Sequence, residues 1–332
     1  MIFLFPSGIS IAHLNEHRRQ KNTTLKQAVE HISEGKYQEI KAGLDKLSDH
    51  IFERKGHDSR INFVVKRYLA LSPEAREKTL VLSDTNKEKE ILTRRIREEM
   101  KNLGHLDRKE FNVEILSQKD LTEAQKRVAA YYDPGMVVMT NTKSPYLELN
   151  EHYRVVSRRG QYLTLETKHG VVELNPKSEN LSVYEPKFLQ IAKGDKLEWR
   201  RNHDGRTNRK QVTMEAIDKK QAILSDENGN QERVDISRPQ LFDYAHVTTT
   251  YSSQGLTCDR VIALTHSNIS KESLYVLTSR ARQEVEIVTD SKEKLLAKAS
   301  RTSTKANVLD GFKLEGIENQ TKQNSFDLEI GR

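Results

Sequence analysis

The apolar residues of this sequence change their spacing twice, and those two changes limit the folds open to it. From Leu25 to Leu103 they recur mostly at helical intervals. Leu25, Ala28, Val29 and Ile32 form one stripe closed by Gly35, and Ile40, Leu44, Leu47 and Ile51 form a second, so residues 22–52 read as a helix pair. Residues 61–71 read as a third helix, stopped by Ser72-Pro73. Thr79-Leu80-Val81-Leu82-Ser83 is a short buried-strand pattern. Thr85 and Glu88 then have capping-box spacing at the head of a helix whose apolar face is Ile91, Leu92, Ile96, Met100 and Leu103. A strand followed at once by a capped helix is the pattern of a parallel α/β sheet.

After Asp133-Pro134-Gly135 the period falls to two. Strands are expected at Met136–Thr140, Tyr153–Ser157, Tyr162–Thr167, Val171–Leu174, Lys196–Arg200, Val212–Ile217, Ala222–Asp226 and Glu232–Ile236, separated by Gly, Asn and Lys turns. They fall into two similar runs, opening at Gly-Met-Val-Val and Gly-Asp-Lys-Leu, and imply a small β-barrel insertion. Asp243-Tyr244-Ala245 restores the α/β pattern, with an apolar strand at Val261–Leu264 and another after Tyr275. The expected organisation is a first α/β part over 1–133, a β insertion over 134–242, the returning α/β part over 243–309 and a polar, disordered tail over 310–332.

Composition narrows the partners. The 332 residues are 31% charged, with a mean hydropathy of −0.75, and no apolar run approaches the ~18–20 residues of a spanning helix. One cysteine, Cys258, excludes an internal disulfide framework and fits a reducing cytoplasm, the expected location. The 11 histidines lack ligand spacing, so no metal held by protein side chains is expected. A net charge of +7 permits an anionic partner such as nucleic acid, while an aromatic content of 6% leaves few rings to stack on bases.

Three stretches carry chemistry. Arg18-Arg19-Gln20 sets two guanidiniums beside an amide, suited to clamping a phosphate or, equally, to a surface salt-bridge face. Thr248, Thr249, Thr250, Ser252 and Ser253 lead to Gln254-Gly255, a loop able to donate side-chain and backbone hydrogen bonds to a nucleic-acid phosphate; the threonines also suit a plain β-edge. Arg280 follows Thr278-Ser279 on an expected helix. There it could meet the charge spreading over a transferring phosphoryl group, with Arg282 roughly opposite on the same helix. Trp199, between Glu198 and Arg200-Arg201, is either a stacking residue for DNA or a barrel-core tryptophan.

In order, R-R-Q, T-L-V-L-S-D-T-N-K-E-K-E-I-L-T-R-R-I, the β insertion, T-T-Y-S-S-Q-G and Y-V-L-T-S-R-A-R resemble the C-terminal half of a superfamily 1B helicase. They are most similar to the helicase part of TraI-type conjugative relaxase–helicases, with RecD-like helicases as the wider group. The resemblance runs from about Leu14 to Leu309. It implies a RecA-like, P-loop-NTPase-type parallel sheet (helicase domain 2A) interrupted by an SH3-like insertion (2B) lying along single-stranded DNA. It further implies that Arg19 meets the γ-phosphate with Gln20 beside it (motif IV). Thr249, Ser253, Gln254 and Gly255 would couple the DNA strand to the nucleotide (motif V), and Arg280 would be the arginine finger (motif VI). Tyr251 stands where the family usually has histidine. The 332 residues contain no G-x-x-x-x-G-K-[ST] and no G-D-x-x-Q, and they lack the relaxase tyrosines and three-histidine cluster. ATP and Mg²⁺ are therefore expected only in a composite site completed by a separate N-terminal helicase/relaxase half, with single-stranded DNA and conjugation proteins as further partners. Alone, the chain is expected to show no ATPase, helicase or relaxase activity. The alternative is a non-catalytic remnant binding single-stranded DNA or a protein.

Overall fold

A computed structural model describes residues 19–203 and 205–299; Arg18 and the 310–332 tail lie outside them. In chain order the elements are α1 (Thr23–Glu34), α2 (Tyr37–Lys46), β1 (Ile51–Glu53), α3 (His57–Leu69), α4 (Pro73–Glu77), β2 (Thr79–Ser83), α5 (Asn86–Asn102), β3 (Phe111–Gln118), α6 (Glu123–Lys126), β4 (Val137–Thr140), β5 (Tyr153–Arg159), β6 (Tyr162–Thr167), β7 (Gly170–Leu174), β8 (Leu181–Ile191), β9 (Lys196–Trp199), β10 (Gln211–Ile217), β11 (Gln221–Ser225), β12 (Gln231–Asp235), β13 (Phe242–Tyr244), β14 (Val247–Thr249), β15 (Cys258–Leu264), α7 (Lys271–Ser279), β16 (Ala281–Thr289) and α8 (Lys292–Ala299). They form two compact units: residues 19–64 with 77–84 and 250–299, and residues 65–76 with the described residues of 85–249.

In the first unit β1, β16, β15 and β2 run side by side, every neighbour parallel. Parallel neighbours need a crossover, and α7 supplies it between β15 and β16. Val261-Ile262-Ala263-Leu264 is buried at every position, as in a sheet covered on both faces. One core joins Val261 and Ala263 of β15 and Ile287 of β16 to Leu25, Val29 and Ile32 of α1, Ile40 and Leu44 of α2, and Leu274 and Leu277 of α7. Helix α1 starts at Asn22, whose side chain accepts from the Leu25 amide, and ends at Gly35 with φ +73°. Ile51, expected on the second helical stripe, instead opens β1 and pairs with Ile287. A 3₁₀ turn at Ser48–His50 ends the helical run, and the apolar Ile51 and Phe52 add to the sheet.

The second unit is dominated by two antiparallel sheets, of order β3-β8-β4-β5-β6-β7 and β12-β11-β10-β9-β13. Helix α5 belongs to it and packs against β14; its N-cap Thr85 accepts from the Glu88 amide, as its spacing predicts. One core gathers Val113 and Ile115 of β3, Ile191 of β8, and Trp199, Val212, Met214, Leu224 and Phe242; a second lies within the six-stranded sheet. Phe111–Gln118, upstream of residue 134, is antiparallel to β8 along its whole length, and β13 pairs with β9 beyond residue 241. The antiparallel body thus draws on segments outside the alternating stretch.

A buried polar cluster fixes this unit. Arg97 of α5 donates to Asp195 Oδ1 at 2.7 Å and Oδ2 at 2.8 Å, and also to Glu110 and to the Gln190 carbonyl. His246 Nε2 lies 3.2 Å from Asp195 Oδ1, and the Arg97 guanidinium sits 4.4 Å over the Tyr244 ring. Burial, the largest single influence on Asp195, pushes its carboxyl upward, but the hydrogen bonds and charges of His246 and Arg97 together hold it below the usual carboxylate range.

Candidate functional site

Residues 19–22 form a strap across the junction of α7 and β16. The Lys21 and Asn22 amides donate to the Arg282 carbonyl at 2.7 and 3.3 Å. Arg19 Nη1 donates to the Ser279 carbonyl at 2.8 Å. The Gln20 side-chain amide donates to the carbonyls of Ser279 and Ala281, each at 3.1 Å. Gln20 is 8% exposed, and its Oε1 is buried without a hydrogen-bond partner.

Arg280 is the residue between those two carbonyls. Helix α7 ends just before it, where Thr278 and Ser279 turn their hydroxyls back onto the carbonyls of Leu274 and Val276 at 2.9 and 3.1 Å. Arg280 is the C-cap, not a residue within the helix. Its Nε donates to Val276 O at 3.1 Å, Nη2 to Ser279 Oγ at 3.1 Å and Nη1 to Leu256 O at 3.4 Å. A cation is well placed among the last carbonyls of a helix. Arg280 is 9% exposed. Burial first, and the charge of Arg19 second, hold its guanidinium below the usual value; arginine nonetheless stays charged at neutral pH. Neither arginine is paired with a carboxylate among the described residues. Arg282, expected opposite Arg280 on a helix, lies on β16, with Asp259 Oδ1 3.7 Å away. The chain turns from helix to strand at Arg280, so the helical spacing does not reach it.

The Thr249–Gly255 segment leaves β14 and crosses to β15. The Thr250 amide donates to Ser83 O at 2.9 Å, placing this end of the loop at the carboxyl end of β2. Ser253, fully buried, donates Oγ to Thr250 O at 2.6 Å, and the Leu256 amide donates to Ser253 O at 3.0 Å. Ser253 therefore ties the loop to itself. Gln254 and Gly255 are exposed, and Gly255 has φ +88°, a conformation that favours glycine. Thr249 is buried in β14. The loop's far end reaches Arg280 through the Leu256 carbonyl, so the serine-glutamine-glycine turn and the arginine share one hydrogen-bonded framework.

Asp84 was not singled out from the sequence. It accepts from Thr265 Oγ1 at 2.6 Å and the His266 amide at 3.1 Å, while Thr250 Oγ1 lies 3.4 Å from its other oxygen. Its signal was an acidic residue directly after the apolar run of β2. Cys258, beside the Arg280 carbonyl, has its thiol pushed up to about 12, chiefly by burial, which favours the protonated form at neutral pH.

Trp199 stands apart, in the second unit. It is 2% exposed, edge-on to Phe242 with ring centroids 5.4 Å apart, and the Arg206 guanidinium covers its ring at 4.4 Å. Of its two readings, the structure matches the core residue; the ring offers no free face for a base. His31, Glu34 and Glu39 bring ligand atoms within 4.8 Å of one another, a grouping made by α1 and α2 that linear spacing did not reveal. His31 Nδ1 and Glu39 Oε2 are 2.6 Å apart, so the pair is satisfied without an ion. Among the described residues no helix is long and apolar enough to cross a membrane.

The unit with the parallel sheet carries R-Q, S-S-Q-G and S-R-A-R in the segments that join its helices and strands. The chain is similar in sequence to the multifunctional conjugation protein TraI of Escherichia coli, 25% identical over 248 residues, which are 69% of this chain and 14% of the relative. TraI of strain K12 matches likewise, at 25% over 250 residues. The similarity to TraI thus covers about two thirds of this chain and about a seventh of the length of those relatives. No family model matches. Among solved structures, two coordinating Pif1 helicases at forked double-stranded DNA give a TM-score of 0.44 at 14% identity, covering 90% of this chain and 53% of that one. Bacteroides Pif1 with ADP-AlF3 and single-stranded DNA gives 0.31 at 15% identity, covering 90% and 55%. Pif1 from Candida albicans gives 0.25 at 14%, covering 78% and 57%.

Proposed function

We propose that this chain is the second RecA-like domain of a conjugative-transfer DNA helicase, with an SH3-like 2B counterpart in the antiparallel unit. In this reading single-stranded DNA runs over the Thr249–Gly255 segment, with the buried Thr249 and Ser253 shaping the turn from within. Arg280 and Arg19 face the γ-phosphate of an ATP, with Gln20, Gln254 and Gly255 bordering the nucleotide. The ATP and its Mg²⁺ are held by a P-loop half outside these 332 residues. The supporting observation is the pair of close guanidiniums, Arg19 and Arg280, which have no carboxylate partner among the described residues and are held by backbone carbonyls. Two like charges brought together and partly desolvated are costly unless an anion joins them, and a phosphoryl group in transfer carries charge on all three of its equatorial oxygens.

The test mixes the purified chain with a P-loop helicase half and single-stranded DNA and follows phosphate release. Turnover is expected only in the mixture; turnover by the chain alone contradicts the reading. Tyr251, in place of the family's histidine, favours a second reading, a single-stranded DNA- or protein-binding module with no nucleotide role. It predicts salt-sensitive DNA binding and no gain of ATPase in any mixture.

A further inference from the structure

We propose that Tyr251 is a stacking platform for one base of single-stranded DNA, an inference that rests on the DNA-binding reading above. Tyr251 is 82% exposed, more than any other large hydrophobic side chain among the described residues. The backbone beneath it is nonetheless held. The preceding residue is tied to Ser83 O through the Thr250 amide, the Gln254 amide donates to Tyr251 O at 3.3 Å, and Ser253 Oγ closes back onto Thr250 O. A ring presented on such a turn has its two side-chain torsions left to order on binding, which keeps the entropic cost small.

Its surroundings select the partner. The only other large hydrophobic exposed in the described part of this unit is Tyr37, at the start of α2. A protein partner needs a contiguous patch of about 800 Å² with an apolar centre, which one isolated ring does not make. A nucleobase needs a single ring face. Tyr251 directly follows Thr250, whose amide is bound at the carboxyl end of β2, the edge at which parallel α/β sheets receive ligands. The exposed Gln254 and Gly255 follow within the same turn, on the side where the attached sugar and phosphate would lie.

Stacking and phosphate neutralisation leave different marks. Stacking strengthens binding at every salt concentration, whereas a lost phosphate contact flattens the dependence of log K on log salt. The full chain is titrated into a fluorescein-labelled oligo-dT strand at a series of NaCl concentrations. Tyr251→Ala should weaken binding about 5- to 150-fold with the salt slope unchanged, and Tyr251→Phe, which keeps the ring, should bind like the parent. Equal affinity of Tyr251→Ala and parent overturns the stacking assignment and leaves DNA binding standing, as does a loss accompanied by a changed slope. A parent chain that does not bind at low salt overturns the DNA reading itself.

Discussion

Gln20 brackets Arg280: one side-chain amide donates to the carbonyls immediately before and after the arginine, Ser279 O and Ala281 O. The resemblance to helicases places Gln20 beside the nucleotide, but both its observed donor bonds go to backbone. Gln20→Ala should therefore remove a donor from Ala281 O, while Ser279 O keeps Arg19 Nη1, and cost about 1–3 kcal/mol, read from urea unfolding.

Arg280→Ala tests the finger role and the cap role together. As a solvent-facing arginine it would cost within ~0.5 kcal/mol, but Arg280 is largely buried and holds Val276 O and Leu256 O. Its loss should destabilise the chain by about 1–3 kcal/mol. In a reconstituted mixture, phosphate release should fall roughly 10³-fold or more, far beyond what that destabilisation explains for a protein still folded. Unchanged release would confine Arg280 to capping α7.

Asp195 gives the second unit an acid-sensitive element. Its folded-state carboxyl lies below the ordinary value, so the stability it contributes is complete above the unfolded value of about 3.9 and is lost as pH falls through the folded one. Asp195→Asn leaves Arg97 without its closest partner and should cost about 3–5 kcal/mol at pH 7. The gap between parent and variant should close as pH is lowered below about 4, followed by denaturant midpoints across pH.

Gly43 reverses the usual sign of a helix substitution. Gly→Ala inside a helix gains up to about 1 kcal/mol, but a Cβ at Gly43 of α2 would lie 2.7 Å from Ala28 O and 2.8 Å from Ile32 Cγ1. Overpacking of that kind costs about 1–3 kcal/mol. Gly43→Ala should lower the melting temperature.

For Trp199, the burial predicts a fold effect without a DNA effect. Trp199→Ala should cost about 3–5 kcal/mol, while Trp199→Phe, if folded, should bind single-stranded DNA as the parent does. A weaker-binding but equally stable Trp199→Phe would return the residue to the DNA surface.

The parallel sheet was legible because β2, the cap at Thr85 and the apolar run of β15 are local patterns, each complete within a few residues. Most strands from β4 to β12 were legible through their alternation. Strand β8 was not, since Pro186 interrupts its pattern; that proline lies beyond Leu181–Tyr184, the stretch covered by β4, where one side of the strand has no ladder to break. The order of the arginine and glutamine motifs was also readable. Their geometry was not: the turn at Arg280, the two hydrogen bonds donated by Gln20 and the junction at Asp84 all depend on residues far apart in the chain.

The strap joins positions 260 residues apart, Arg19 and Ser279. During synthesis the first of them emerges long before the second exists, so the two guanidiniums come together only once nearly all of the described chain has been made. The paired positive charge is in this sense a mark of completed folding: a nascent or prematurely terminated product would carry Arg19 but could not present the pair to any phosphate.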